Sequence, residues 1–109
     1  MEGGSEAVLP CVEGGPVGLL VRLACSLCAL AARRAERELA VARKLLYDVY
    51  SVASQALEGL VLEAVEAGGV RCLAPVLPGC SASLRVEEGA LVMEADCGPS
   101  LSYRCAVGL

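Results

Sequence analysis

Ala32 to Gly69 reads ARRAERELAVARKLLYDVYSVASQALEGLVLEAVEAGG. Within it Ala35, Leu39, Ala42, Leu46, Val49, Ala53, Ala56 and Leu60 recur at steps of four and three, the spacing that gathers side chains on one side of a helix. No proline interrupts the stretch, and Gly68-Gly69 supplies residues able to adopt the left-handed conformation that ends helices. Arg33, Glu36, Arg37, Arg43, Lys44 and Asp48 occupy much of the opposite face, and beyond Lys44 the charged side chains are all acidic: Asp48, Glu58, Glu63 and Glu66. A seam of this kind packs either on the protein's own sheet or on another helix. We expect the second, with Leu39, Ala42, Leu46, Val49, Ala53, Ala56 and Leu60 forming a homo-oligomer interface.

Upstream, Val17 to Ala32 (VGLLVRLACSLCALAA) is apolar but for Arg22 and Ser26. A bilayer core needs about 20 apolar residues, with about 17 as the short limit. The run is marginal for spanning, and burial by protein or by a partner is the expectation, with membrane or envelope association through Val17–Ala32 as the alternative. Residues 1–16 are rich in Gly, Glu and Pro and carry no basic residue, so they read as a flexible leader without the positive start of a secretory signal.

Downstream the period changes from helical to alternating. Val70–Leu77 ends at Pro78-Gly79, Ala82–Val86 runs to Glu88-Gly89, Ala90–Ala95 returns as the second arm of a hairpin, and Leu101–Val107 follows the Gly98-Pro99 turn. The division expected is a leader over 1–16, one helix over 17–69, apolar then amphipathic, and a sheet over 70–109. The fold class is therefore α+β: one long N-terminal helix packed on a small antiparallel sheet of about four strands.

The 109 residues are enough for one domain. Hydrophobic residues make up 56% and charged ones 20%, and the mean hydropathy is +0.62, which is too apolar for disorder. A net charge of -4 argues against binding nucleic acid, which needs a basic face. Histidine is absent, which excludes Ser-His and Cys-His nucleophiles and histidine-containing zinc sites. No glycine pattern of a nucleotide loop is present. Glu87, Glu88, Glu94 and Asp96 cluster around the hairpin, but they read as solvated charges. No catalytic residue, cofactor or metal site is assigned, and a non-enzymatic role follows. Ile, Phe, Trp, Asn and Thr are also absent, and Lys44 and Gln55 are single occurrences; a hot environment or GC-rich coding predicts such a list.

Of the seven cysteines, Cys11, Cys25, Cys28, Cys72, Cys80, Cys97 and Cys105, one must stay unpaired within the monomer. Cys25 and Cys28 have C-x-x-C spacing but lie inside the apolar helical run, with no second pair to complete a zinc shell. Bridging Cys72 to Cys80 and Cys97 to Cys105 would staple two turns, with Cys97–Cys105 the pair we single out; buried reduced thiols are the alternative. Bridges would place the chain in an oxidising compartment or a hyperthermophile interior.

Taken together, the apolar start V17–A32, the amphipathic continuation ARRAERELAVARKLLYDVYSVASQALEGLVLEAVEAGG and the sheet segment APVLPGCSASLRVEEGALVMEADCGPSLSYRCAVGL resemble archaeal type IV pilin-like proteins. That resemblance implies a structural subunit of the cell envelope or surface whose helix packs against identical helices. A cytoplasmic α+β interaction domain, homodimeric through the same seam, is the alternative.

Overall fold

The computed structural model describes residues 5–8 and 15–108. Helix α1 (Gly15–Ala32) lies at the centre of the fold. It packs against α2 (Glu36–Ala56) on one side, and against strands β1 (Ser5–Val8), β3 (Val70–Val76) and β6 (Ser102–Gly108) on the other. With β2 (Val61–Ala67), β4 (Ala82–Glu87) and β5 (Ala90–Asp96), the strands form two antiparallel sheets. One is four-stranded in the order β1-β6-β5-β4, and the other is the hairpin β2-β3. The α+β class expected from the sequence is the one observed.

The single helix expected over 17–69 is divided twice, each time for a local reason. At the first break Arg34 takes a left-handed conformation, φ 57°. The Ala35 N–H donates to the Leu30 carbonyl and the Arg34 N–H to the Ala31 carbonyl, the paired bonds that close a helix C-terminus in the Schellman arrangement. This position usually holds glycine, and a left-handed non-glycine residue costs about 1–2 kcal/mol. Nothing in the sequence advertises the stop. α2 then folds back on α1.

The second break is at Leu57, whose backbone is extended, and the chain then turns through Gly59 at φ 86°. A Cβ at Gly59 would lie 3.1 Å from Pro78 Cδ, so the turn passes close to the β3–β4 connection. Beyond it the chain is a strand, not a helix: VLEAVEA pairs with VRCLAPV from Val61↔Val76 to Ala67↔Val70. Gly68 and Gly69, with φ 57° and 79°, form the two-residue hairpin loop rather than a helix cap, both central residues having the positive φ that such loops demand. The β4–β5 hairpin repeats the device at Glu88-Gly89, as its sequence predicts.

The leader expected over 1–16 is corrected in part. Ser5–Val8 is a strand in register with β6, Ser5↔Val107 to Val8↔Arg104, and residues 15 and 16 open α1. The remainder of that segment lies outside the described residues.

The core is built around one side of α1: Leu20, Val21, Ala24, Leu27 and Ala29 are buried. From the larger sheet, Leu91, Met93 and Ala95 face it across from Val107, Cys105 and Tyr103; from the hairpin come Cys72, Ala74 and Val76. Pro75 sits in the ladder of a two-stranded sheet, where a missing donor is tolerated. Its carbonyl accepts the Tyr103 hydroxyl at 2.7 Å, so β3 and β6 are joined across the two sheets.

Three disulfides complete the frame: Cys25–Cys105, Cys28–Cys72 and Cys80–Cys97, with Cα separations of 6.3, 5.2 and 5.6 Å. The Cys97–Cys105 bridge expected from the turn is not formed. Cys105 stands opposite Met93, four residues before Cys97, an offset of roughly 13 Å along the strands and too far for a disulfide. Cys72 is likewise bonded to the helix, not to Cys80. In the loop-closure account, bridges spanning 80, 44 and 17 residues correspond to about 4.5, 4 and 3 kcal/mol. Replacing Cys25 and Cys105 together by Ala is expected to lower the unfolding free energy by about 2–5 kcal/mol, more than the same change at Cys80 and Cys97. Denaturant melts of the two double variants check the order, and a larger loss for the Cys80/Cys97 pair would contradict it.

Candidate functional site

Cys25 and Cys28 lie one helical turn apart on α1, yet their sulfurs leave in different directions, one to β6 and one to β3. Both are buried and consumed in disulfides, so the C-x-x-C spacing serves the frame. Among the described residues no group of three or more Cys, Asp and Glu converges as a metal site would require.

The acidic cluster resolves into separate structural roles. Arg85 bridges Glu87 and Glu94 across the β4–β5 hairpin, holding the Glu87 carboxyl below its usual range through the hydrogen bond and the charge. Asp96 accepts hydrogen bonds from the Gly98 N–H at 3.2 Å and the Ser102 hydroxyl at 2.9 Å, which lower its pKa and shape the turn into β6. Glu88 is exposed at the loop.

The seam expected as an interface is covered within the chain. Leu46, Ala53 and Leu60 are buried, and Leu39, Ala42 and Val49 are half-buried against the core, because α2 lies on α1. Ala56 alone of the set is exposed. Nor is α1 free to pack on copies of itself along the face that carries its cysteines. By length and composition it is apolar enough to cross a membrane, and in this fold it is a core element with both cysteines tied into the sheets.

Two surface features remain. The first is an apolar stripe on α2, roughly a third of the way round the helix from the buried seam. Val41 is 70% exposed, Leu45 48% and Val52 55%. With Asp48 they recur at steps of four, three and four, a second seam with no covering element among the described residues. A groove of about 390 Å³ runs beside its first half, lined by Arg37, Glu38, Val41, Ala42 and Leu45. In the sequence this stripe is masked by the longer inner seam, which by itself accounts for the helix.

The second is a cleft of about 230 Å³ where α1, α2 and the β2–β3 hairpin meet, lined by Leu27, Arg43, Tyr47, Ala64, Arg71, Cys72 and Leu73. Its cations come from elements far apart in sequence, which is why no motif marks it. Compared with known proteins, the chain matches no family model, no curated protein and no solved structure.

Tyr103 belongs to the frame of these sites. Burial, and to a smaller extent the Glu63 charge, pushes its phenol well above the ordinary value of 10.0. Because the folded-state pKa exceeds the unfolded one, the stabilisation is complete below about pH 10 and is lost as pH rises toward the folded value. Tyr103→Phe is expected to destabilise the fold by about 1–3 kcal/mol, by leaving the Pro75 carbonyl without its donor. In an alkaline absorbance titration one tyrosine of the wild type should ionise only with unfolding, and that step should vanish in the variant. Its persistence would contradict the assignment.

Proposed function

We propose that the chain is a non-enzymatic assembly subunit, a disulfide-clamped α+β domain that pairs with a second copy through the outer face of α2. The observation that carries this reading is the stripe Val41, Leu45 and Val52, three large apolar side chains about half exposed or more within three turns of one helix. Exposed apolar side chains gathered on one helix face, here with Asp48 among them, mark an interaction site. The charge pattern favours a copy of the same helix as the occupant. α2 carries Arg37, Arg43 and Lys44 together with Glu36 and Glu38 in its first half, and Asp48 is the one charge beyond them. A two-fold axis near residue 46 sets Val41 against the partner's Val52, Leu45 beside Asp48, and Lys44 against the partner's Asp48. Each contact occurs twice, as a symmetric dimer requires.

Assembly through α2 fits the structural role implied by the pilin-like resemblance while moving the contact from the inner seam, Leu39 to Leu60, to the outer face of α2. The three disulfides support a place where such bonds persist, at the cell envelope or surface, with a hyperthermophile interior as the other setting.

A single 21-residue helix face is small beside standard interfaces of about 1,600 Å², so a dissociation constant of roughly micromolar order is expected. Sedimentation equilibrium should show a dimer that Leu45→Glu weakens by tenfold or more without loss of helical circular dichroism. Leu46→Glu, one residue away but fully buried, should unfold the domain instead. Lys44→Glu should weaken the dimer, and adding Asp48→Lys should restore it. A wild type monomeric at several hundred micromolar, or a Leu45→Glu dimer of unchanged strength, would overturn the proposal.

A further inference from the structure

We propose that the cleft between α2 and the β2–β3 hairpin binds a small organic anion, with Arg43 and Arg71 holding its carboxylate or phosphate head and Tyr47 donating a further hydrogen bond. Among the described residues, the polar side chains that line the cleft are two guanidiniums and one phenol, with no lining carboxylate. Guanidinium offers donors only, in a planar fork that matches an oxyanion. Two of them brought to one concavity from α2 and β3 repel each other until an anion lies between them.

Their existing partners leave them available. Arg71 stands opposite Glu66 in the strand pair, but the closest approach is 3.8 Å, beyond hydrogen-bond range, and both side chains are mostly exposed. Arg43 has no ion-pair partner among the described residues. The three tyrosines draw the same contrast. Tyr50 donates to the Leu60 carbonyl at 2.8 Å and Tyr103 to the Pro75 carbonyl at 2.7 Å, whereas Tyr47 is half exposed and has no hydrogen bond among the described residues.

The remainder of the lining is apolar: Leu27, Ala64, Leu73 and Cys72. Cys72 is bonded to Cys28 on α1, so β3, which carries Arg71, is covalently fixed to the helix beneath, and α2, which carries Arg43, is packed on that same helix. A charged rim over an apolar floor selects an anion with a hydrocarbon body. At about 230 Å³ the cleft lies below the 300–1,000 Å³ typical of pockets for drug-sized ligands, so the ligand is small, one ring or a short chain.

Titration of the oxidised full chain with phenyl phosphate and with benzoate, followed by ¹⁵N–¹H NMR at constant ionic strength, tests the assignment and tells the two head groups apart. Saturable shifts centred on Tyr47, Arg71 and Leu73 are expected with at least one probe. Its affinity should fall about tenfold or more in Arg43→Gln and in Arg71→Gln. Both positions are exposed, so the variants should keep the wild-type melting temperature. Shifts with both probes that rise linearly without saturating, or affinities unchanged in both variants, would overturn the proposal. Inorganic phosphate is the control for the floor. If it binds as tightly as the tighter of the two organic probes, the apolar lining plays no part and the organic-anion assignment fails.

Discussion

Two covalent bonds from one turn of α1 organise the molecule. Cys25 reaches β6 in the four-stranded sheet and Cys28 reaches β3 in the hairpin, so sheets that share no ladder are fastened to the same helix. A domain of this size buries a modest core, and here that core contains no phenylalanine, tryptophan or isoleucine to fill it. Leucine, valine and alanine pack around the helix instead, and the bridges restrict the unfolded chain where bulk is lacking. The Tyr103–Pro75 hydrogen bond joins the same two sheets at a second point.

Fastening α1 in this way decides what the surface can do. The apolar helix that would otherwise be the natural contact for a membrane or a neighbour is occupied on its cysteine-bearing face by the protein's own strands. α2 closes another side, and its inner seam is used in doing so. Outward, α2 leaves a shorter apolar stripe; against the hairpin, it leaves a donor-lined cleft. Both features sit on one helix, whose position depends on the turn at Arg34.

The α+β class, the downstream strands and the β4–β5 hairpin are legible in the sequence because alternation and a two-residue turn signal are local. The helix breaks are not. Arg34 stops α1 through backbone hydrogen bonds that a residue of any type can make, and an arginine in a left-handed conformation leaves no mark in the sequence. Gly68-Gly69 is visible as punctuation, but it suits a helix cap and a tight hairpin equally, and VLEAVEA satisfies either period. The cysteine pairing depends on tertiary neighbours 80 and 44 residues apart, which no turn argument reaches. The inner seam is legible as an apolar face; that its cover is α1 becomes evident only once the chain is seen to reverse. The anion cleft joins residues of α1, α2, β2 and β3, and nothing short of the fold assembles them.

The claim on which the account stands is that α1 is bridged to both sheets. Mass spectrometry of peptides from unreduced protein, alkylated after unfolding, measures it directly. The account predicts linked peptides for Cys25–Cys105, Cys28–Cys72 and Cys80–Cys97, with none of these six cysteines alkylated. Free Cys25 and Cys28, or a Cys97–Cys105 linkage, would contradict it.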